Sequence, residues 1–405
     1  NWRLEEKGFG TAYVFDIALH NKDIFAGTYN AGVFVYSTER DNWDHFLPVS
    51  SYFSIQDIEI LDSNIFLTKY YSGKVLYSND FGGNWKTIVD SNGIPNSKIY
   101  CIAPDKVKGY VFAGNQMGLY LSKDFGNHWE LVNEDLKIIP ITQIIIDSEN
   151  LYLTANQFNM YISNDYGKTF KTYNTDNGLP YDSYFTAMEL CSNNIIIGTY
   201  YSGSSGKPKG IYFSKDNGVS WNTANINSTF NNIRDLVSFD NFVFAGTDSG
   251  IIQSSDCGEN WFRPNHDLYN FPIYKLLIYD NSIYAATNIG VFKAPLSDFG
   301  ITEVEKPKIE NINYLYCYPP YPVPATNTVR SLIYWDTSPD IENYDIAVYD
   351  IFGNKVAGKD KITIDKQNAY SGILSWNCTN VPDGIYLIRL IHGSETKTMK
   401  VIVSK

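Results

Sequence analysis

Chemistry in this chain would have to come from carboxylates, and its aspartates fall into three settings. Asp80, Asp124, Asp165, Asp216 and Asp256 each follow a serine by two residues. Asp16, Asp57 and Asp235 stand just ahead of an apolar residue in segments that read as strands. Asp90, Asp135, Asp176, Asp182, Asp248 and Asp267 lie in segments that read as loops. Two carboxylates facing each other across a cleft, roughly 6.5–9.5 Å apart, would suit an inverting glycosidase. No motif marks such a pair, so the loop acids read as solvated turn residues. A cation among Asp16, Asp57 and Asp235 would use their oxygens as ligands; hydrated or paired carboxylates are the plainer reading. The 5 histidines form no Ser-His-Asp arrangement, and no phosphate loop is present.

Other chemistries are poorly supplied. Cys101, Cys191, Cys257, Cys317 and Cys378 are far apart, and without CxxC, CxxCH or a His-rich tract they support neither zinc nor covalent haem. They read as small buried hydrophobes, with a Cys317–Cys378 disulfide as the alternative. No cofactor or metal is expected. The formal charge of −12, without a basic run or patch, argues against a nucleic-acid partner. No stretch reaches the roughly 20 apolar residues of a membrane span, so the chain reads as soluble. It opens at Asn1 with no Met and no n-region or h-region, which reads as a processed mature form.

The elements that position these residues repeat. Five copies of one phrase read SNDFGGNW from Ser78, SKDFGNHW from Ser122, SNDYGKTF from Ser163, SKDNGVSW from Ser214 and SSDCGENW from Ser254. Each has a glycine at its fifth place (Gly82, Gly126, Gly167, Gly218, Gly258) and an aromatic at its eighth (Trp85, Trp129, Phe170, Trp221, Trp261). A shortened copy, STERDNW, starts at Ser37, and successive starts lie 41, 44, 41, 51 and 40 residues apart. That period fits one four-stranded propeller blade. With 16% aromatic residues, and 32 Tyr against 23 Phe, the composition favours strands and tight turns.

Aligned backwards from each copy, the repeat shows an inner strand and then an apolar strand ending in small residues. The inner strands carry Asp16-Ile17, Asp57-Ile58, Cys101-Ile102, Gln143-Ile144, Ala187-Met188, Asp235-Leu236 and Lys275-Leu276. The second strands end in phrases such as Ala26-Gly27-Thr28 and Ala245-Gly246-Thr247. Seven repeats are counted. The seventh has Ala294-Pro295-Leu296 where the phrase should start, and Asn1-Trp2-Arg3-Leu4 matches the missing outer strand. The expected fold is therefore all-β: a seven-bladed β-propeller over residues 1–300, closed by the N-terminal strand. Closure removes sheet edges that would otherwise template association.

The phrase resembles the Asp-box repeats of sialidases, xyloglucan-degrading enzymes, sortilin-like receptors and photosystem assembly factors. The resemblance implies that the box lies at the blade periphery, where the acid accepts hydrogen bonds from turn amides, the glycine supplies a positive φ and the aromatic packs between sheets. The box serines, acids, glycines and aromatics are thus expected to be structural. A sialidase would need converging arginines, and the propeller segment holds Arg3, Arg40, Arg234 and Arg263, of which Arg3 and Arg263 fall beside box positions. The ligand face is instead expected among the aromatic loops on the opposite rim. The candidates there are Tyr29, Tyr70, Tyr71, Phe158, Tyr181, Tyr184, Tyr200, Tyr201, Tyr269 and Phe271. Such rings offer apolar area and a polar handle, suited to stacking glycans or recognising protein.

After Gly300 the period breaks. Residues 301–316 read as a linker and 317–405 as a small Ig-like β-sandwich. Tyr321-Pro322-Val323-Pro324, Tyr349-Asp350-Ile351-Phe352-Gly353, Trp376, Gly384-Ile385-Tyr386 and the lysine-containing final strand resemble the type A C-terminal sorting domain of type IX secretion cargo. The doubled entry at Tyr318-Pro319-Pro320 departs from that pattern. The resemblance implies a Bacteroidetes–Chlorobi-type source, recognition by the type IX machinery, passage across the outer membrane, and attachment or release outside; such a tail is often cleaved. The expected function is a secreted or cell-surface module that binds protein or glycan without catalysis. The alternative is a polysaccharide-active glycoside hydrolase using loop carboxylates.

Overall fold

The computed structural model describes the chain apart from residues 1, 6–11, 21, 38–41, 48–53, 62, 71–73, 89–92, 106, 156–158, 181–182, 202–209, 227–231, 265–267, 302–314, 318–319, 321–324, 336–343, 369–370, 393–394 and 405. The protein is all-β, and the helices among the described residues are short 3-10 turns. It forms two compact units, the main body of one ending at Val304 and that of the other running from Glu305 to Lys405.

The first unit is a succession of antiparallel sheets, all but the last wound in chain order. The first joins Val14–His20, Asp23–Thr28, Val33–Ser37 and Asn42–Leu47. Sheets of the same plan begin with the strands Ile55–Leu61, Ile99–Asp105, Ile141–Asp147, Ser183–Cys191 and Ile273–Tyr279; the one led by Ile233–Phe239 has three strands, and Asn260–Trp261 pairs in parallel with Asn225–Ile226. These leading strands neighbour one another in cyclic order, and the last packs on the first. In the last sheet the fourth strand is Arg3–Leu4, paired antiparallel with Gly290–Pro295 through Arg3↔Lys293 and Leu4↔Phe292. The chain at Leu296–Phe299 meanwhile makes a 3-10 turn.

The sequence explains how neighbouring sheets approach so closely. The second strands are buried throughout, as in Ile24-Phe25-Ala26-Gly27-Thr28, so they read as continuous apolar runs and not as alternating ones. Their glycines face the leading strand of the next sheet. A Cβ on Gly198 would lie 2.3 Å from Cγ2 of Ile233, and one on Gly114 would lie 2.7 Å from the Ile141 carbonyl oxygen. The threonines that end these strands are fully buried, and Thr28, Thr199, Thr247 and Thr287 each donate to a carbonyl across the following turn at 2.8–2.9 Å. That bond offsets the cost of burying the hydroxyl.

The second unit stacks two four-stranded sheets. One orders Leu315–Cys317, Thr328–Trp335, Ser371–Asn377 and Ile362–Asn368; the other orders Lys355–Ala357, Tyr344–Asp350, Gly384–His392 and Glu395–Val403. Val329, Ile333, Leu374 and Trp376 from the first share one core with Ile346, Val348, Ile388, Leu390 and Val401 from the second. Trp376 is fully buried and meets the Tyr386 ring edge-on at 5.6 Å, and the Tyr386 hydroxyl donates to the Pro382 carbonyl at 2.7 Å.

Candidate functional site

The five box acids are engaged within their own turns. In each box the serine hydroxyl donates to Oδ1 of the acid at 2.7–2.9 Å while accepting from the glycine amide at 2.7–2.9 Å. The same Oδ1 accepts the amide four residues on, at 2.7–2.9 Å. Oδ2 meets that residue's own side chain: Asn84, His128, Thr169, Ser220 or Asn260. This last position was not read from the sequence, although each copy carries a polar residue there. The turn needs two left-handed residues in succession, such as Phe81 at φ 51° and Gly82 at φ 87°. Trp129, Trp221 and Trp261 then donate their indole N–H to the box glycine carbonyl. Trp85 is half-buried, as is Phe170.

These bonds favour the charged form. The side chain and amide of Thr169, with Ser163, bring Asp165 down to about 2. For Asp80, Asp124 and Asp256 partial burial opposes the shift, yet the turn bonds still hold each carboxyl below its usual value; in Asp216 the Ser220 bonds lead. With both carboxylate oxygens engaged inside the turn, the box acids serve the hairpin they close. Asp350 of the second unit repeats the device, accepting from the amides of Phe352 and Asn354 and from the Asn354 side chain, with Gly353 at φ 85°.

A different set of acids lines a cavity of about 770 Å³ to which all seven leading strands contribute. In six of these strands the pairing with the second strand slips by one residue, leaving Phe15, Tyr100, Thr142, Thr186, Arg234 and Tyr274 unpaired. A bulge re-aims its extra side chain, and all six residues line the cavity. The residue after each bulge reaches instead to the next sheet. Asp16 accepts the Ile58 amide at 2.7 Å, Asp57 the Ile102 amide, and Asp235 the Leu276 amide at 2.7 Å. Cys101 faces the Ile141 carbonyl and Gln143 donates to the Thr186 carbonyl. Where the series has Ala187, the neighbouring Thr186 donates to the Ile233 carbonyl. Lys275 completes the circle, its Nζ 3.4 Å from Asp235 and 4.0 Å from Asp16.

Burial governs the charge of this ring. It raises Asp16 to about 7 against the pull of Lys275, and it raises Asp57 and Asp235 as well. Asp57 lies close enough to Asp16 that the charge of one raises the other. Glu189 is likewise raised to about 7 by burial. Asp235, followed by burial's opposing effect and the other acids, leaves the Lys275 ammonium harder to deprotonate than a free lysine.

An aromatic cluster, a partial collar contributed by three neighbouring sheets, borders the cavity through Phe15 and Tyr274. Phe15 stacks on Tyr70 at 4.8 Å and 7°, and meets Tyr274 at 5.5 Å and Tyr29 at 6.0 Å; Tyr13 extends the cluster from Tyr29 at 6.1 Å. Arg234 lies over the Tyr274 ring at 5.0 Å and is paired with Asp248. Of the aromatics singled out by sequence, Tyr29 and Tyr70 are thus brought together, by a bulge phenylalanine that was not. Tyr184 and Tyr200 form a separate, exposed cross-strand pair. Tyr269 is exposed and carries Arg263 over its ring at 4.8 Å, while Phe271 packs on Phe292. Tyr71, Phe158 and Tyr181 lie outside the described residues, as do Asp90, Asp182 and Asp267; Tyr201 ends a strand whose backbone alone is described there. Asp135 and Asp176 sit in the first turns of 3-10 helices.

Two expectations are corrected. Arg263 does not stay with the box: it donates to the Ser249 carbonyl, in the hairpin loop beside Asp248. The disulfide joins Cys191 and Cys257 and not Cys317 and Cys378. Cys191 ends its leading strand where Asp105 ends another, and Cys257 holds the box position of Tyr166. Tyr166 donates to Asp105 of the preceding sheet at 2.6 Å, so the disulfide occupies a recurrent contact between neighbours. Among the described residues no group of histidine, cysteine or acid side chains is placed to hold a metal ion, and no helix is long and apolar enough to cross a membrane.

Comparison with known proteins agrees with this division. Residues 117–234 match the family described as sortilin, neurotensin receptor 3, and residues 320–404 match the secretion system C-terminal sorting domain. No curated protein matches the chain. Similar solved structures include YCF48 bound to a D1 peptide (TM-score 0.56, 15% identity, 73% of this chain and 96% of that one). PorZ, an essential bacterial surface component of the type IX secretion system of Porphyromonas gingivalis, is similar at TM-score 0.55 and 14% identity. That likeness covers 100% of this chain and 61% of PorZ. An ancestral GH74 enzyme is similar at TM-score 0.56 and 10% identity, over 100% of this chain and 63% of that one. At these identities the likeness is one of fold. The chain carries an Asp-box propeller of the sortilin type followed by a C-terminal sorting domain of the type IX secretion system, which marks it for export.

Proposed function

We propose that this is a secreted or outer-surface protein of a Bacteroidetes–Chlorobi-type bacterium, in which a seven-bladed propeller, closed by its N-terminal strand, binds protein or glycan without catalysis. In this reading the second unit is an Ig-like sandwich recognised by the type IX machinery. The observation that carries the binding role is the partial collar of Tyr13, Tyr29, Phe15, Tyr70 and Tyr274 beside a cavity to which every leading strand contributes. A propeller mouth of this kind concentrates aromatic area where loops from several blades converge. YCF48, a propeller of similar fold, has been solved with a peptide bound, which supports a peptide-binding role here.

The test is to capture partners from intact cells with the wild-type chain and with Tyr70→Ala and Tyr29→Ala. A partner lost with either variant, with folding intact by circular dichroism, supports the mouth as the binding face; partners retained by both overturn it. A parallel screen for polysaccharide hydrolysis addresses the rival reading. Turnover abolished by Asp248→Asn or Asp176→Asn would replace the binding role with a hydrolase.

A further inference from the structure

The collar and the cavity beside it have opposite characters, and together they select one kind of occupant. We propose that the mouth takes a basic side chain, a lysine or arginine presented by a peptide partner, with its cation over the rings and its charge toward the acids of the cavity. This rests on the reading of the mouth as the binding face and names the chemistry of its partner.

Three observations converge. The collar offers aromatic faces and edges, with Tyr13 and Tyr70 both more than a third exposed; a cation over such a face is worth roughly 0.5–2 kcal/mol. The cavity walls carry Asp16, Asp57, Glu59, Glu189 and Asp235 against the ammonium of Lys275, while the other cation in the walls, Arg234, is engaged by Asp248. Burial favours the protonated form of several of these acids, yet they outnumber the cations, so charge complementarity disfavours an acidic partner and gives a basic one an advantage over a neutral one. The walls also already practise both halves of this recognition. Arg234 sits on the Tyr274 ring beside a carboxylate, and Lys275 rests between Asp16 and Asp235. A space of about 770 Å³ admits a long side chain and its neighbours. A glycan could stack on the collar and donate its hydroxyls to the carboxylates, but a neutral glycan brings no positive charge to balance them.

The probes are short Gly/Ser peptides, identical except for one central arginine, lysine, citrulline or glutamate, titrated by fluorescence anisotropy against the full chain. Arginine and lysine peptides should bind about tenfold or more tightly than the citrulline peptide, with the glutamate peptide weakest. Raising the salt concentration should narrow the gap. Tyr70→Ala should weaken the basic peptides, and Glu59→Gln combined with Glu189→Gln should erase the preference of arginine over citrulline while leaving the fold intact by circular dichroism. Tyr70→Phe, which keeps the ring, should bind as wild type.

Equal binding of arginine and citrulline, a glutamate preference, no binding of any peptide, or a preference that survives the double Gln variant would each overturn the proposal. The outcomes separate it from the broader reading. If a glycan or a neutral peptide binds and is lost with Tyr70→Ala, the mouth remains the binding face and the basic partner is wrong. If whatever binds is indifferent to Tyr70→Ala, both fail.

Discussion

The box turns and the cavity ring use the same residue type in opposite ways. At the periphery, Asp165 accepts from Ser163, from the Thr169 amide and from the Thr169 hydroxyl, and lies below its ordinary pKa at about 2. In the cavity wall, Asp16 accepts one amide, faces the charge of Asp57 and is raised to about 7 by burial. The difference is in the donors. A short loop folding back on itself can bring three donors to one carboxylate, whereas strands meeting around an axis supply one amide each. Local geometry makes the first acid a fixture, and shared geometry leaves the second responsive to protons and to cations.

The strongest way to break this contrast is to remove the cation that steadies the ring. Lys275→Met should cost about 2–3 kcal/mol in denaturant unfolding. A fully buried pair would lose about 3–5, and solvent reaching the half-exposed lysine lowers the figure. A loss below about 0.5 kcal/mol would mean that Lys275 does not hold the acids together. Asp124→Asn should come next, at about 1–2 kcal/mol, because the amide places a donor where Ser122 and His128 already donate. An unchanged unfolding midpoint would leave serine and glycine as sufficient to hold the turn.

Asp16→Asn should have the smallest effect and the opposite sign. The substituted side chain can still accept the Ile58 amide through its carbonyl oxygen but carries no charge, so stability at pH 8 should rise by about 0.5–1 kcal/mol. The same variant tests the pH dependence. Above about pH 4 the unfolded chain releases protons that folded Asp16 and Glu189 retain, so their contribution falls as pH rises from about 4 to about 7. The box acids run the other way: their contribution is complete above about pH 4 and is lost as pH falls through their depressed folded values, about 2 for Asp165. Unfolding followed from pH 3 to pH 8 should show the upper slope reduced in Asp16→Asn; an unchanged slope would move the titration to other groups.

What could be read from sequence was what is local in sequence. A serine, an acid and a glycine within five positions describe a self-contained turn, and the pairing of Arg3 with Lys293 could be anticipated because residues 1–4 repeat the end of a box. The ring was legible in composition but not in action: Asp16, Asp57, Cys101, Gln143, Asp235 and Lys275 could be aligned, yet the partner of each lies in the next repeat. The bulges that aim Phe15 and Arg234 at the cavity leave no pattern of their own, since one extra strand residue looks like any other. Cys191 and Cys257 escaped for a related reason. Their spacing carries no motif, and the signal was positional, through the alignment of Cys257 with Tyr166 and of Cys191 with Asp105.

The strand Arg3–Leu4 also makes a contact of very long range in sequence. Its partner, Gly290–Pro295, lies about 290 residues further along the chain, and the two meet through a two-residue ladder. The loop entropy of so distant a contact grows slowly with length, but the contact has no register to find until the intervening sheets have set the circumference. The pairing of this segment therefore joins the two ends of the succession of sheets. The commitment of the whole first unit is held by one of its shortest strands.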